Sequence, residues 1–488
     1  MSDHLSVQDA TFVYAESDSA PLNVGMLAFF EDRGITEEAL CRHVSCRLHR
    51  FVRLRQKLAF VPLDQGHPVW IDDEQFDVRM HVRSVALLGD RGEAEAGRLL
   101  ARVMSVPLPR SRPLWEIWLF PMNDDRVGLI VKLHHCLLDG VSAVKFVNML
   151  FDAAPDVASG EPRAWSPAAA PGRGALLRNA LRARWEKLRE VASHRPHVEP
   201  AEALVQRASE RIRNVLEFGK VTLRASTRVP IGGPIGPERR FETFSIPLHD
   251  VRVLKNRAGC KVNDVALSLV AEAAHHQLER RGIHTLGATV KAAVPVSRHT
   301  QTNGELGNQV SLLTLDLPVG GMDPARRLRR IAQDMNELKR SGQAEGADFW
   351  LGLAEHVSPV VVSTVTRAVS KQRLIDLGVT NVAGPPIPLY LLGGRMLEVY
   401  PYTPLIGATS LGVAVSSYNG TLYFGISGDW NEQADLSVFK EGLALAWDAL
   451  SRRLTAPEAD SSVELQPRTM YPVSHGSSHV HHAQGISP

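Results

Sequence analysis

Apolar residues occupy every second position from Val127 to Leu133, a pattern typical of a strand. The turn-rich sequence MNDDR precedes this strand, and Trp115–Pro121 before it also has the composition of a strand. We therefore predict that the two segments form a hairpin. The other segments with strand-like composition are Val24–Phe30, Phe241–Ile246, Val290–Pro295, Val310–Leu317, Leu411–Ser417 and Thr421–Ser427.

Between these strands, apolar residues recur at helical spacing. The segment Thr36–Arg47 has a hydroxyl residue suited to cap its first turn, followed by two acidic residues that favour a helix N-terminus. The segment Asn263–Glu279 places Leu267, Val270, Ala271, Ala274 and Leu278 on one face. The other predicted helices are Glu93–Val103, Gly140–Phe151, Ala175–Ser193, Glu202–Phe218, Pro324–Ser341, Asp348–Lys371 and Leu436–Arg453. Strands and helices that intermingle in this way predict an α/β fold.

Two changes in composition divide the chain. Ala153–Gly174 is rich in Ala, Pro and Gly, and PIGGPIGP at 230–237 is incompatible with regular structure. We predict an N-terminal lobe over 1–152, a linker with basic amphipathic helices over 153–237, and a C-terminal lobe over 238–455. The polar remainder, 456–488, has the composition of a disordered tail, and its histidines are not expected to form a defined metal site.

Composition narrows the classes of function. The chain has 488 residues, 44% of them apolar, and a net charge of +2, so nothing suggests a nucleic-acid-binding protein. Four cysteines without paired spacing argue against a disulfide scaffold or a Cys-based zinc site. The start of the sequence does not resemble a signal peptide, and no apolar run reaches the ~18 residues of a membrane span. We expect a cytoplasmic protein that can still lie on a membrane surface.

The most informative local pattern is HHCLLDG at 134–140, directly after the alternating strand. A strand end presents side chains to a cleft, and imidazole accepts and returns protons near neutral pH. Paired histidines at a strand end are often ordinary polar residues. The additional Asp139 and Gly140 make a catalytic loop the better interpretation.

This pattern resembles the HHxxxDG motif of the CoA-dependent acyltransferase superfamily, and further segments resemble the bacterial wax ester synthase/diacylglycerol acyltransferase family. Near the start, Asp9, Phe12 and Pro21–Gly25 fit the opening pattern of that family. The other matching segments, in chain order, are PLWE at 113–116, PIGP at 234–237 with RRF at 239–241, NDV at 263–265, VPVSR at 294–298 and LGNQ at 306–309. The resemblance implies two chloramphenicol-acetyltransferase-like lobes, each a mixed sheet with helices, and an active-site tunnel between them.

The resemblance also implies roles for individual residues. His135 is implied to be the general base that deprotonates an acceptor hydroxyl for attack on an acyl-CoA thioester, with His134 and Asp139 supporting the loop. Asp139 is a candidate partner of Arg298. The residues expected to contact substrate are Gly140, Asn263 (as an oxyanion donor) and Trp115. No metal or bound cofactor is expected, because CoA enters as part of the substrate.

Plainer interpretations of two of these residues stay open. Trp115 is also accounted for as a core aromatic residue, and Asn263 as the N-cap of its helix. A serine hydrolase is disfavoured, because ATSLG at 408–412 is the nearest approach to a GxSxG elbow and lacks the strand-turn-helix context.

The function that the resemblance implies is transfer of a long-chain acyl group from acyl-CoA to diacylglycerol, giving triacylglycerol. Two alternatives remain: wax ester synthesis with a fatty alcohol as acceptor, and a catalytically silent lipid-coat protein of the same fold. Six basic and two acidic residues between Arg173 and Ala192 give that helix a local charge of +4, with Trp185 on its apolar face. We therefore expect peripheral binding to the inner membrane face or to lipid inclusions, unless the helix packs on its own domain.

Overall fold

The strands and helices of the chain were obtained from a computed structural model, which describes residues 3–87, 89–137, 140–158, 160–193, 229, 231–302, 305–340, 358–370, 372 and 375–455. In chain order, the strands are β1 (Asp3–His4), β2 (Asn23–Glu31), β3 (Gln56–Ala59), β4 (Val69–Asp72), β5 (Val82–Ser84), β6 (Trp115–Pro121), β7 (Arg126–His134), β8 (Arg239–Pro247), β9 (Thr289–Thr302), β10 (Glu305–Pro318), β11 (Leu377–Ala383), β12 (Tyr390–Leu391), β13 (Gly394–Tyr402), β14 (Leu411–Tyr418) and β15 (Thr421–Asp429). The helices are α1 (Val7–Ala15), α2 (Glu37–Arg47), α3 (Glu93–Met104), α4 (Gly140–Leu150), α5 (Arg173–Ser193), α6 (Leu248–Ala258), α7 (Val262–Arg280), α8 (Pro324–Arg340), α9 (Pro359–Ser370) and α10 (Leu436–Thr455).

The first large sheet has the strand order β12–β13–β2–β7–β6–β5. Its centre is the predicted hairpin of β6 and β7, which is confirmed with Trp115 opposite Leu133. Strand β2 pairs with the other edge of β7, and Asn23 lies opposite His134. Because β7 is flanked on both sides, its end is held in a fixed position. The sheet is mixed, since β5 runs parallel to β6 while the other pairs are antiparallel.

The second large sheet has the order β10–β9–β11–β14–β15–β8 and is also mixed. Strand β11 runs parallel to both of its neighbours, β9 and β14. The helices α6, α7, α8 and α10 contribute apolar residues to the hydrophobic core of this sheet. The expectation of two lobes, each a mixed sheet with helices, is confirmed.

The two lobes are not separated at a single position in the sequence. Strands β12 and β13 come from the second half of the sequence but pair into the first sheet, where β13 lies antiparallel to β2. An added side chain at Gly394 would meet the backbone of Glu31, so this glycine permits the close approach of the two strands. The predicted C-terminal lobe, 238–455, therefore contributes residues 390–402 to the first sheet.

Helix starts follow local capping chemistry. Thr36 accepts a hydrogen bond from the Ala39 N–H and begins α2, as predicted. Helix α7 begins at Val262 with Lys261 as its N-cap, and Asp264 accepts the Lys261 N–H. The plainer interpretation of Asn263 as the N-cap of this helix is wrong, because Asn263 already lies within the first turn. The predicted helix Glu202–Phe218, the part of Asp348–Lys371 before residue 358, and the tail lie outside the described residues.

The lobes belong to one compact unit, Met1–Leu454, and are joined by packing and by hydrogen bonds. Helix α1 of the first lobe contacts α9 of the second, and α3 contacts β8. The buried Arg239 guanidinium donates to the Ser19 carbonyl (2.6 Å) and lies 3.8 Å from the Asp429 carboxylate. These contacts connect the second sheet to the chain segment just before β2.

Candidate active site

The candidate catalytic loop starts where β7 ends at His134. A single 3-10 turn, His135–Leu137, follows, and α4 begins at Gly140. Residues 138 and 139 lie outside the described residues, and so does the side chain of Arg298. The supporting role of Asp139 and its pairing with Arg298 therefore stay predictions.

His134 is buried and bridges the loop to the N-terminal segment. The Cys136 N–H donates to His134 Nδ1 (3.1 Å), which places the ring hydrogen on Nε2. That nitrogen lies 3.5 Å from Glu16 Oε1. With one ring nitrogen accepting inside the loop and the other facing a carboxylate, His134 is suited to hold the loop rather than to exchange protons with a substrate.

Glu16 is the buried carboxylate of this arrangement, although the sequence interpretation did not single it out. Its oxygens accept from the Arg110 guanidinium (3.0 Å) and from the Leu22 N–H (3.2 Å). Burial alone raises the pKa of a carboxyl group, but His134 and Arg110 outweigh burial and lower the pKa of Glu16 to about 2. Glu16 is therefore ionised at neutral pH.

His135 is held by its backbone and by one face of its ring. Its N–H donates to the Leu22 carbonyl (2.9 Å), and its ring stacks on Phe12 of α1 with 3.8 Å between centroids. Nδ1 is buried without a hydrogen-bond partner among the described residues, while the residue as a whole is partly exposed. Burial lowers the pKa of His135 to about 4. The imidazole is therefore neutral at pH 7 and able to accept a proton.

Trp115 lies in the core of the first lobe rather than at a surface. Its side chain is 1% exposed, and its indole N–H donates to the Leu54 carbonyl (2.8 Å). The ring stacks on His81 with 4.4 Å between centroids. These contacts favour the packing interpretation over substrate contact, because the one polar atom of the side chain is already satisfied.

Asn263 lines a cavity of about 660 Å³ in the second lobe. Asn381 on β11 donates from its Nδ2 to Asn263 Oδ1 (3.3 Å). We call this space the second-lobe cavity; its lining includes Leu248, Arg252, Asn263, Leu313, Lys339 and Asn381. Its described lining comes from the second lobe alone, so a tunnel that joins it to His135 stays a prediction.

A smaller cavity of about 260 Å³ adjoins the catalytic loop in the first lobe. It is lined by Cys136 and Leu137 of the loop, by Trp70 and by Asp9 of α1. The structure thus brings His134, His135, Glu16 and Phe12 together, and places Trp115 and Asn263 in different surroundings.

Several of these contacts had no local signal in the sequence. Glu16 follows α1 directly and looks like an ordinary polar residue at a helix end. Asn381 lies within a strand, and Arg252 and Lys339 lie on the exposed faces of helices. Their significance depends on which segments the fold brings together, and a single sequence does not state that.

No helix among the described residues is both long and apolar enough to cross a membrane. Across the same residues, no three His, Cys, Asp or Glu side chains converge as a metal site would require.

Comparison with known proteins gives the family. Residues 5–266 match the wax ester synthase/diacylglycerol acyltransferase catalytic domain, and residues 306–451 match the WS/DGAT C-terminal domain. The probable diacylglycerol O-acyltransferase tgs1 of Mycobacterium tuberculosis is 30% identical over 92% of this chain and 95% of its own. The putative diacylglycerol O-acyltransferase Rv1760 of the same species is 31% identical over 87% of this chain and 85% of its own.

Solved structures with low sequence identity share the fold. The wax ester synthase/diacylglycerol acyltransferase from Marinobacter aquaeolei VT8 covers 92% of this chain and 99% of its own, with a TM-score of 0.63 at 22% identity. The first condensation domain of the calcium-dependent antibiotic synthetase covers 92% of this chain and 96% of its own, with a TM-score of 0.56 at 19% identity. The expected superfamily fold is confirmed. The matches to both family domains span more than half of the sequence, and the chain belongs to the wax ester synthase/diacylglycerol acyltransferase family.

Proposed function

We propose that this protein transfers a long-chain acyl group from acyl-CoA to the hydroxyl of diacylglycerol, with His135 as the general base. The observation that carries the proposal is the position of His135 directly after β7, where its ring stacks on Phe12 and its backbone N–H donates to the Leu22 carbonyl. A base of low pKa is a weak proton acceptor, but it is fully available at neutral pH. Family membership gives the donor class, acyl-CoA.

The reaction balances with one base. The imidazole takes the proton of the acceptor hydroxyl while the oxygen attacks the thioester carbonyl carbon. The tetrahedral intermediate then collapses: the carbon–sulfur bond breaks, the ester remains, and the imidazolium returns the proton to the CoA thiolate. Asn263 is proposed as a substrate-binding residue, because its Oδ1 is occupied by Asn381 and its amide hydrogens are left to donate into the cavity.

Diacylglycerol is the preferred acceptor in this proposal because the relatives at 30% and 31% identity carry the name diacylglycerol O-acyltransferase. A fatty alcohol is the second candidate, since the domain that matches residues 5–266 is named for wax ester synthesis as well. The two acceptors present the same reacting hydroxyl and differ in the bulk beside it, so pocket shape decides between them.

The test is product analysis with the purified full chain, palmitoyl-CoA, and diacylglycerol and hexadecanol in competition. We expect triacylglycerol as the main product. His135→Ala is expected to lower kcat by about 10²- to 10⁴-fold, the usual contribution of a positioned base. His249→Ala, on the exposed face of α6, is the matched control and should keep full activity.

The same experiment separates the remaining possibilities. Equal product from the wild type and His135→Ala would refute the assigned mechanism. No product from a folded wild-type chain with either acceptor would favour a catalytically silent lipid-coat protein. A product that is mainly wax ester would support the same acyl transfer by His135, with a fatty alcohol rather than diacylglycerol as the acceptor.

We also propose that the protein works at the surface of a membrane or lipid inclusion, since its acceptor is lipid-soluble. Helix α5 supports this proposal through the residues it leaves exposed. Leu176 and Ala180 are buried, whereas Leu181 and Trp185 are 47% and 64% exposed. An exposed tryptophan surrounded by arginines is suited to an anionic lipid interface.

A further inference from the structure

Arg239 is the first residue of β8, and its side chain, only 1% exposed, is buried at the contact between the lobes. Its guanidinium donates to the carbonyls of Gly236 (2.6 Å) and Glu238 (3.0 Å), which lie just before β8. Asp429, opposite Arg239 on β15, has its carboxylate 3.8 Å away. Because a guanidinium is a rigid, planar group, these contacts within the second lobe fix the direction of its remaining donors.

The same guanidinium contacts the first lobe at two points. Its Nη2 donates to the Ser19 carbonyl at 2.6 Å. The second point is Tyr402 of β13: burial raises the pKa of its hydroxyl to about 12, although the charge of Arg239 and a hydrogen bond with it oppose the shift. Tyr402 lies opposite Gly25 of β2, so both contacts are close to the start of β2.

Ser19 lies at the tip of a tight turn. Ser17 and Ala20 exchange backbone hydrogen bonds in both directions, at 3.3 and 3.0 Å. Ala20 and Leu22 are buried, at 6% and 1% exposure. Because a closed and well-packed turn deforms little, a displacement of the Ser19 carbonyl displaces its neighbours as well.

The two ends of this turn hold the two histidines of the catalytic loop. Glu16, at its start, has a carboxylate oxygen 3.5 Å from His134 Nε2. Leu22, at its end, accepts the His135 N–H through its carbonyl (2.9 Å). The position of the Ser19 carbonyl therefore affects the placement of both histidines.

We propose that Arg239 is a positioning residue for acyl transfer: from the second lobe it holds the Ser19 turn, and through that turn it sets the position of the His135 imidazole. This inference rests on the proposed function, in which His135 is the base. A small displacement of a base slows a reaction strongly, because the reacting atoms must meet at a defined distance and angle. Arg239 lines neither the second-lobe cavity nor the smaller cavity beside the catalytic loop, so we expect it to affect the chemical step rather than substrate binding.

The second lobe offers a matched control in Arg281, directly after α7. Its guanidinium donates to the carbonyls of Ile231 (2.7 Å) and Glu432 (3.0 Å) and binds the Asp435 carboxylate. Arg281 thus resembles Arg239 in contacting two backbone carbonyls and one carboxylate, but these three partners all belong to the second lobe. A variant at Arg281 therefore weakens a similar network without releasing the Ser19 turn.

The test compares Arg239→Lys with Arg281→Lys in the purified full-length protein. Lysine keeps the positive charge beside the carboxylate, but it lacks the fixed fork that donates to several carbonyls at once. We expect Arg239→Lys to lower kcat for transfer from palmitoyl-CoA to diacylglycerol about tenfold with KM for palmitoyl-CoA unchanged, and Arg281→Lys to keep the wild-type kcat. Arg239→Gln, which also removes the charge, should lower kcat at least as far. Thermal melts verify folding, and if the glutamine variant fails to fold, the lysine variant decides the test.

Hydrogen exchange measures the same geometry without turnover. The His135 amide is protected by the Leu22 carbonyl, so loosening of the turn should speed its exchange. We expect deuterium uptake in peptides that cover residues 16–22 and 132–137 to be about tenfold faster in Arg239→Lys and unchanged in Arg281→Lys.

Wild-type kcat in the folded Arg239 variants would overturn the proposal, and so would equal losses of kcat in Arg239→Lys and Arg281→Lys, since a general loss of stability would then be the cause. A lower kcat without faster exchange at the His135 peptide would also overturn it, because the catalytic loop would not have moved. If the wild type transfers no acyl group but the His135 peptide exchanges faster in Arg239→Lys, the proposed function fails while Arg239 still holds the loop. If transfer depends on His135 but neither kcat nor exchange responds to Arg239, the proposed function stands and this inference fails.

Discussion

At the residue scale, the catalytic loop depends on a carboxylate that precedes it by more than a hundred positions in the chain. Glu16 faces His134, binds Arg110 and accepts from the N–H of Leu22, whose carbonyl in turn receives the N–H of His135. One buried anion thus connects the positions of both histidines. We infer that Glu16 is a positioning residue, because it acts on the proposed base through its neighbours.

The change Glu16→Gln is expected to lower kcat for acyl transfer about tenfold while KM for the donor changes little. The amide keeps the shape but leaves the Arg110 guanidinium without its counter-charge, so we also expect a loss of about 1–3 kcal/mol in the free energy of unfolding. Steady-state kinetics and denaturant unfolding measure the two effects. Glu31→Gln is the control: its partner Arg33 is exposed, and both quantities should stay near the wild-type values. Parallel losses in both variants would contradict the assignment.

The lowered pKa of His135 predicts a pH dependence of stability with a definite sign. The folded imidazole titrates at about 4 and the unfolded one near 6.5. Between these values the unfolded chain binds more protons, so the free energy of unfolding falls as pH falls from 6.5 to 4, by up to about 1.4 kcal/mol per pH unit from this residue. The variant His135→Asn should have a shallower slope in this window. Unfolding titrations from pH 7 to 4 provide the comparison, and identical slopes would contradict the prediction.

The same residue predicts a pH profile for catalysis. Because the general base must be neutral, kcat/KM should decrease on the acid side with an inflection well below 6.5, towards 4. A profile recorded from pH 8 to 4, with folding monitored at each point, gives the measurement. An acid-side inflection at or above 6.5 would mean that His135 is more hydrated than its surroundings indicate.

At the element scale, the sequence predicted those helices and strands whose formation depends on local periodicity and capping. The hairpin of β6 and β7 and the start of α2 at Thr36 follow from neighbouring residues alone, and both are confirmed. The catalytic loop was found through its motif. The insertion of β12 and β13 into the first sheet was not predicted, because pairing of β13 with β2 joins segments more than 350 residues apart. The interpretation of Asn263 as the N-cap of α7 failed for a different reason. The N-cap is Lys261, which is not a typical capping residue, and the Asp264 side chain accepts its backbone N–H.

The contact between the two sheets is tightly packed at Gly425. Strand β13 of the first sheet crosses β15 of the second, and an added Cβ at Gly425 would overlap the Pro401 carbonyl oxygen. Gly425→Ala should therefore push the sheets apart and lower the free energy of unfolding by about 1–3 kcal/mol. Thermal and denaturant melts measure this. Gly378→Ala, in a strand where an added Cβ meets nothing within 4 Å, should change stability by less than about 0.5 kcal/mol. Equal effects at both glycines would show that the crossing is not tightly packed.

At the scale of the whole molecule, charge is balanced but unevenly distributed. The net charge is +2 for 488 residues, whereas the segment Arg173–Ala192 alone carries +4. Helix α5 contacts the first lobe near its middle, where Ala180 packs beside Gly66 and Arg184 donates to Gln65 (3.3 Å). Its outward side presents Leu181 and Trp185 together with several arginines. The helix therefore presents a cationic, partly apolar surface, which is the surface that an anionic lipid interface attracts.

Charge reversal on this helix should weaken binding to anionic lipid. Each basic residue near such a surface contributes about 1 kcal/mol, so Arg178→Glu/Arg189→Glu is expected to reduce partitioning onto phosphatidylglycerol vesicles by at least about 30-fold. Trp185→Ser should weaken binding further and, unlike the charge reversal, should do so in high salt, because its contribution is apolar. The control Arg329→Glu/Arg452→Glu makes the same change of net charge on α8 and α10, and should retain more of the binding. If both pairs weaken binding equally, the net charge of the protein rather than α5 determines its attraction to the lipid surface, and α5 serves only to connect the lobes.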